Sequence, residues 1–250
     1  MITEPPSLSR LFREERFYVL AGLFALVGFS WIYLFLWKMP ASGEIFTLPN
    51  YLTMFAMWAV MMVAMMVPSA LPMILIYSHS VKKAKHDGGS LAPLSVFVLG
   101  YVIVWTLFSA GAALLQLILQ NLGMVNKMMV GTNPWAIGGL LIIAGLYQMS
   151  PLKDTCLRFC QHPVMFISKH WRTGTGGAIR MGVIHGGYCV GCCWALMILL
   201  FVGGVMNLLW VALIAIFVLL EKILPLPRGW PQISGVLLII AGLGFGFLVI

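Results

Sequence analysis

Apolar residues run along this chain in long blocks, and polar and charged residues are confined to the intervals between them. A helix that crosses a bilayer needs about 20 apolar residues, each rising about 1.5 Å. Seven blocks meet or approach that length: 17–37, 51–77, 91–119, 134–149, 179–201, 206–220 and 231–250. The fourth and sixth are short. Asn133 followed by Pro134 is a helix N-cap and first-turn pair, which sets the start of the fourth. The pattern predicts an all-α fold: a polytopic transmembrane helix bundle of about seven spans, forming one domain over residues 17–250. Residues 1–16 read as a polar cytoplasmic segment. No cleavable signal peptide is expected, because that segment leads straight into a block long enough to span.

Composition agrees with a membrane protein. Of 250 residues, 61% are hydrophobic and 9% charged, where a soluble domain carries about 25% charged. The net charge of +8 has a topological explanation that needs no nucleic-acid partner. Arg10, Arg13, Arg16, Lys82, Lys83, Lys85, Lys153, Arg158, Lys169, Arg172, Arg180, Lys222 and Arg228 fall in alternate connections, and only Lys38 and Lys127 fall in the others. Positive residues stay inside, so the N-terminus is placed in the cytoplasm and the C-terminus outside. The expected surround is the lipid bilayer of a cytoplasmic (inner) membrane.

The fifth block carries the most chemistry. His185, Cys189, Cys193 and Met197 are spaced by four, which stacks them on one face of a helix, with Cys192 beside them. From the start of this block, His185 lies roughly 9 Å and Met197 roughly 27 Å along the axis. Soft ligands of this kind suit Cu(I), and zinc is the other candidate. The second block is rich in methionine, and Met54, Met57, Met61 and Met65 share a face. Thioethers bind Cu(I) far better than zinc, so this stripe favours copper. Methionine also fills apolar gaps well, and for the stripe taken alone packing is the favoured reading. Pro68 and Pro72 interrupt the hydrogen bonding of that block.

Cys156 and Cys160, followed by His162, lie in the connection before the fifth block. A short helix there puts both thiols on one face, next to Lys153 and Arg158, whose charge favours thiolate. This is a candidate site for loading metal from the cytosol. Glu221 ends the sixth block beside Lys222, and reads either as a proton or metal group or as one half of an ion pair with Lys222 or Arg228. Two echoes suggest an internal repeat: Pro134–Leu146 against Pro231–Leu243, and 57–61 against 193–197. If the halves match, they are inverted, as in many transporters.

Three stretches taken together carry a family likeness: Trp58 to Pro72, Tyr147 to Cys160, and Gly187 to Met197 with Met206, Asn207, Glu221 and Lys222 behind it. Over about residues 50–225 the chain resembles an uncharacterised bacterial family of predicted metal-binding integral membrane proteins, a domain of unknown function. The resemblance implies metal binding in a membrane and marks Cys156, Cys160, His185, Cys189, Cys192 and Cys193. It implies no reaction.

The first functional expectation is Cu(I) handling: transport, or delivery from a metallochaperone to a client membrane metalloenzyme. Metal is expected to bind Cys156 and Cys160, pass to His185, Cys189 and Cys193, and leave near Met197, Met54 and Met57. No P-loop motif is present. A thiol–disulfide oxidoreductase built on Cys189 and Cys192 is the alternative, and an accessory subunit of a larger membrane complex or an oligomer is a third. The balance of residues favours a carrier over an enzyme.

Overall fold

The structure is a computed structural model, and it describes residues 8–36, 47–86, 92–126, 131–224 and 229–247. The described residues are helical, apart from connections and one isolated bridge between Val125 and Gly131. The elements are α1 (Leu8–Leu36), α2 (Leu48–Ser69), α3 (Leu71–His86), α4 (Leu94–Asn121), α5 (Pro134–Gln148), α6 (Pro151–Gln161), α7 (Pro163–His170), α8 (Gly174–Ile198), α9 (Leu200–Gly203), α10 (Leu208–Ile223) and α11 (Trp230–Phe247). Four helices are long and apolar enough to cross a membrane, and a fifth is gained if α5 and α6, bent by 64°, count as one broken span.

Several boundaries differ from the sequence reading. The first helix starts at Leu8, inside the segment read as polar. The second block is two helices, because Pro68 and Pro72 flank a break at Ala70 and each lacks the N–H that a helix interior needs. The connection over 151–178 contains α6 and α7, and α8 begins at Gly174, earlier than 179. Trp37, Leu91 and residues 248–250, at the ends of three of the blocks, lie outside the described residues, as do Lys38, Lys127 and Arg228.

Local signals set the helix starts. The Asn133 side chain accepts from the N–H groups of Trp135 and Ala136, as its position before Pro134 predicts. Ser150 caps α6 through the N–H of Lys153, and Asn207 caps α10 through that of Trp210.

Glycine decides which helices meet. A side-chain carbon at Gly182 would collide with the Phe97 carbonyl, and one at Gly100 with the Ile179 carbonyl, so α4 and α8 pack backbone to backbone. The two echoed segments pair with each other in the same way. A Cβ at Gly138 would stand 2.7 Å from the Gly242 carbonyl, and one at Gly145 would stand 2.6 Å from that of Gly235. Positions rise along α5 as they fall along α11, so the pair is antiparallel. Since Gly138 corresponds to Gly235 and Gly145 to Gly242 in the echo, the contact is related to itself by a local two-fold.

Candidate metal centre

The ladder residues all lie on α8. His185, Cys189, Cys192, Cys193 and Met197 are all buried, and the two later thiols donate to the Cys189 carbonyl at 3.1 and 3.0 Å. Such a bond holds each Sγ against its own helix. What the ladder meets depends on four other helices, α6, α2, α4 and α10.

From α6, Cys160 Sγ approaches Cys192 Sγ to 3.9 Å. Its neighbour one turn back, Cys156, is half-buried and rests on α8 where Gly191 leaves room: a Cβ there would stand 2.8 Å from Cys156 Sγ. The Tyr147 hydroxyl donates to the Gly191 carbonyl and fixes the end of α5 at the same level. Phe159 stacks on Tyr188 at 4.4 Å, which seats α6 along α8.

From α2, Met66 Sδ lies 4.0 Å from Cys193 Sγ. Tyr101 on α4 donates to the Met66 carbonyl at 2.9 Å, and its hydroxyl lies 3.0 Å from Cys189 Sγ. From α10, the Lys222 ammonium donates to Cys189 Sγ at 2.9 Å and to Ser69 Oγ at 3.0 Å. Five sulfurs from three helices therefore gather round one turn of α8, with Tyr101, Ser69 and Lys222 as their polar neighbours.

His185 sits one turn before Cys189, among the rings of Phe97, Tyr101 and Phe166, with Phe166 at 5.1 Å. Among the described residues its buried Nδ1 has no hydrogen-bond partner. A buried polar atom left unsatisfied calls for a ligand or a functional reason.

Other sequence candidates lie elsewhere. Met197 lines a separate apolar cavity of about 230 Å³ with Trp58 and Phe201. Met54, Met57, Met61 and Met65 are core residues of α2, and Met54 Sδ accepts from the Gln116 amide at 3.1 Å. Met54 is about 18 Å along α2 from Met66, too far for the two to reach one ion. His162 is exposed in the turn between α6 and α7.

Glu221 does not pair with Lys222. Its carboxylate meets the Lys153 ammonium at 2.7 Å and the Gln148 amide, and Gln148 also donates to Ser234. Gln161 donates to the Glu221 carbonyl at 2.8 Å, so both ends of α6 are tied to one residue of α10. Lys153 is thereby engaged away from the thiols, and Arg158 pairs with Asp154 on the exposed face of α6. Neither cation serves Cys156 or Cys160.

Among the described residues no three His, Cys, Asp or Glu side chains converge as a closed metal site. The arrangement is instead a set of paired soft donors: Cys160 with Cys192, and Cys193 with Met66. No carboxylate enters it. That donor set suits a soft ion and disfavours hard ones. Residues 55–245 match the PpoB2 family, described as copper chaperones. The chain belongs to that copper chaperone family. Membership names copper where the sequence resemblance named only a metal, and the matched region contains every sulfur of the cluster. No curated protein and no solved structure matches the chain.

Sequence reasoning missed Met66, Tyr101, Ser69 and Lys222. Met66 is one of several methionines in a run, and only the partner helix reveals which one faces a thiol. Lys222 had a signal, being a lysine within an otherwise apolar helix, but Glu221 beside it offered a simpler explanation.

Proposed function

We propose that the chain is an integral membrane Cu(I) chaperone that holds copper in the sulfur cluster of α8, α6 and α2 and delivers it to a client metalloenzyme. The observation that carries this reading is the Cys160–Cys192 approach of 3.9 Å. With metal–sulfur bonds of about 2.3 Å, two thiolates on one ion stand about 3.8 Å apart at a tetrahedral angle and about 4.6 Å apart in a line. The pair is therefore spaced to share an ion with little movement. Cys193 with Met66 offers a second pair one residue further along α8, and His185 with its unpartnered nitrogen a third kind of ligand. Exchange between adjacent soft donors moves copper without releasing a free ion.

The topology that goes with this reading has seven spans, with α2 and α3 together forming the second, in a bacterial inner membrane with the N-terminus in the cytoplasm. Ser69 is the last residue of α2, Gln148 the last of α5, and Lys222 is one short of the end of α10. Ser69 and Lys222 meet at Cys189, and Gln148 meets Glu221, the neighbour of Lys222. The ends of α5 and α10 support a cluster on the cytoplasmic side of the bilayer, beneath α6. Cys156, half-buried on α6, is then the first thiol that incoming copper meets.

The test is elemental analysis of protein purified anaerobically in mild detergent. About one copper per chain, lost from the Cys160→Ser/Cys192→Ser variant, is the expected outcome. Zinc in its place, or copper unchanged in that variant, would overturn the reading.

The same short sulfur–sulfur distance favours a second reading, a thiol–disulfide oxidoreductase using Cys160 and Cys192. It requires a reversible disulfide that turns over with no metal present, and retention of activity in the His185→Phe variant.

A further inference from the structure

One member of the cluster is not a metal ligand in any ordinary sense. Lys222 is 4% exposed, and its ammonium touches Cys189 Sγ and Ser69 Oγ. Among the described residues no carboxylate meets it, because the adjacent Glu221 faces the other way, toward Lys153 and Gln148. A buried cation without an anionic oxygen beside it is costly, and such groups inside membrane helices mark function.

Its position is specific. Cys189 Sγ has the Tyr101 hydroxyl at 3.0 Å and the Lys222 ammonium at 2.9 Å. Both crowd that sulfur at hydrogen-bond distance. An ion taken by Cys189 must push the ammonium aside. It then remains within a few ångströms of a like charge, in surroundings that screen charge poorly.

We propose that Lys222 is a release group: a tethered cation that competes with copper for Cys189 and keeps the bound ion transferable. This rests on the reading of Cys189 as a copper ligand. A carrier has to give up its cargo as well as bind it, and a cluster of five sulfurs alone would retain a soft ion. Lys222 lowers the affinity of one donor without removing it. While copper occupies Cys189, Ser69 Oγ continues to accept from the ammonium. When copper passes to the client, the ammonium returns to the vacated sulfur, so the empty site is never left with an unpaired donor. At Cys189 the step exchanges a metal–sulfur bond for a hydrogen bond from the ammonium, with the sulfur a thiolate on both sides, and no electron is exchanged.

The experiment measures Cu(I) affinity of the full chain in detergent by competition with bathocuproine disulfonate, and the rate at which that chelator removes the ion. The variants are Lys222→Met and Lys222→Gln, which remove the charge, and Lys222→Arg, which keeps it. Both neutral variants should hold Cu(I) about tenfold more tightly or better, one step of like-charge repulsion, and yield it more slowly by a similar factor. Lys222→Arg should stay near the wild type, which a purely structural lysine would not require. Should Lys222→Met fail to fold, Lys222→Gln decides. Equal or weaker Cu(I) binding in the neutral variants, with the wild type binding normally, overturns the release role. A wild-type chain that binds no Cu(I) overturns instead the reading of the cluster on which that role rests.

Discussion

Cys160 and Cys192 stand 32 positions apart in the chain, yet their sulfurs lie 3.9 Å from each other across the α6–α8 interface. Mild oxidation of the metal-free protein should therefore join this pair first. Peptide mass spectrometry after diamide treatment is expected to find an α6–α8 crosslink. Prior loading with Cu(I) should suppress it, because both thiols are then engaged. A crosslink that forms equally fast in the loaded protein would separate this pair from the copper site.

His185 carries an unpartnered Nδ1 inside an aromatic surround. Replacing it by phenylalanine removes a buried unsatisfied polar atom while keeping a ring of similar shape. The His185→Phe variant is expected to melt at or above the wild-type temperature and to hold copper less tightly. Lower stability together with unchanged copper binding would assign the imidazole to packing alone.

Lys153 and Glu221 form an ion pair in which both side chains are almost completely buried, at 1% and 3% exposure. Removing one partner leaves a buried charge and should cost about 3–5 kcal/mol, whereas removing both should cost much less. Thermal unfolding of Lys153→Met, Glu221→Met and the double variant in detergent checks the cycle. Because the Lys153–Glu221 pair ties the start of α6 to α10, the single variants should in addition loosen α6, seen as faster maleimide labelling of Cys160.

Gly182 and Gly187 lie on the same helix and make opposite demands. A methyl group at Gly182 would collide with the Phe97 carbonyl, while one at Gly187 meets nothing within 4 Å. Gly182→Ala is expected to destabilise by about 1–3 kcal/mol through overpacking. Gly187→Ala should be neutral or slightly stabilising, since alanine favours the helix. Melting temperatures of the two variants test the α4–α8 contact directly.

Local periodicity made much of this protein readable in advance. Four-residue spacing put His185, Cys189, Cys193 and Met197 on one face of α8, and the same spacing put Cys156 and Cys160 on the face of α6 that meets it. Asn133 and Pro134 marked a helix start because capping is satisfied within a few residues. Pro68 and Pro72 announced a discontinuity, although not that α3 would follow it as a separate helix. The echoed stretches were visible too, and their glycines turned out to face each other.

What periodicity cannot carry is which face of one helix meets which face of another. Met65 and Met66 are indistinguishable as neighbours in an apolar run, and the packing of α2 on α8 turned Met66 toward Cys193. Glu221 and Lys222 are adjacent in the chain, yet side chains of consecutive helical residues point about 100° apart, so one reached Lys153 and the other Cys189. The residue types and their order determined the helices, the soft donors and the faces they share. Only the tertiary structure decided that Cys160, Cys189, Cys192, Cys193 and Met66 form one cluster, covered by α6 and faced by a buried ammonium, because such contacts arise from close packing between distant segments.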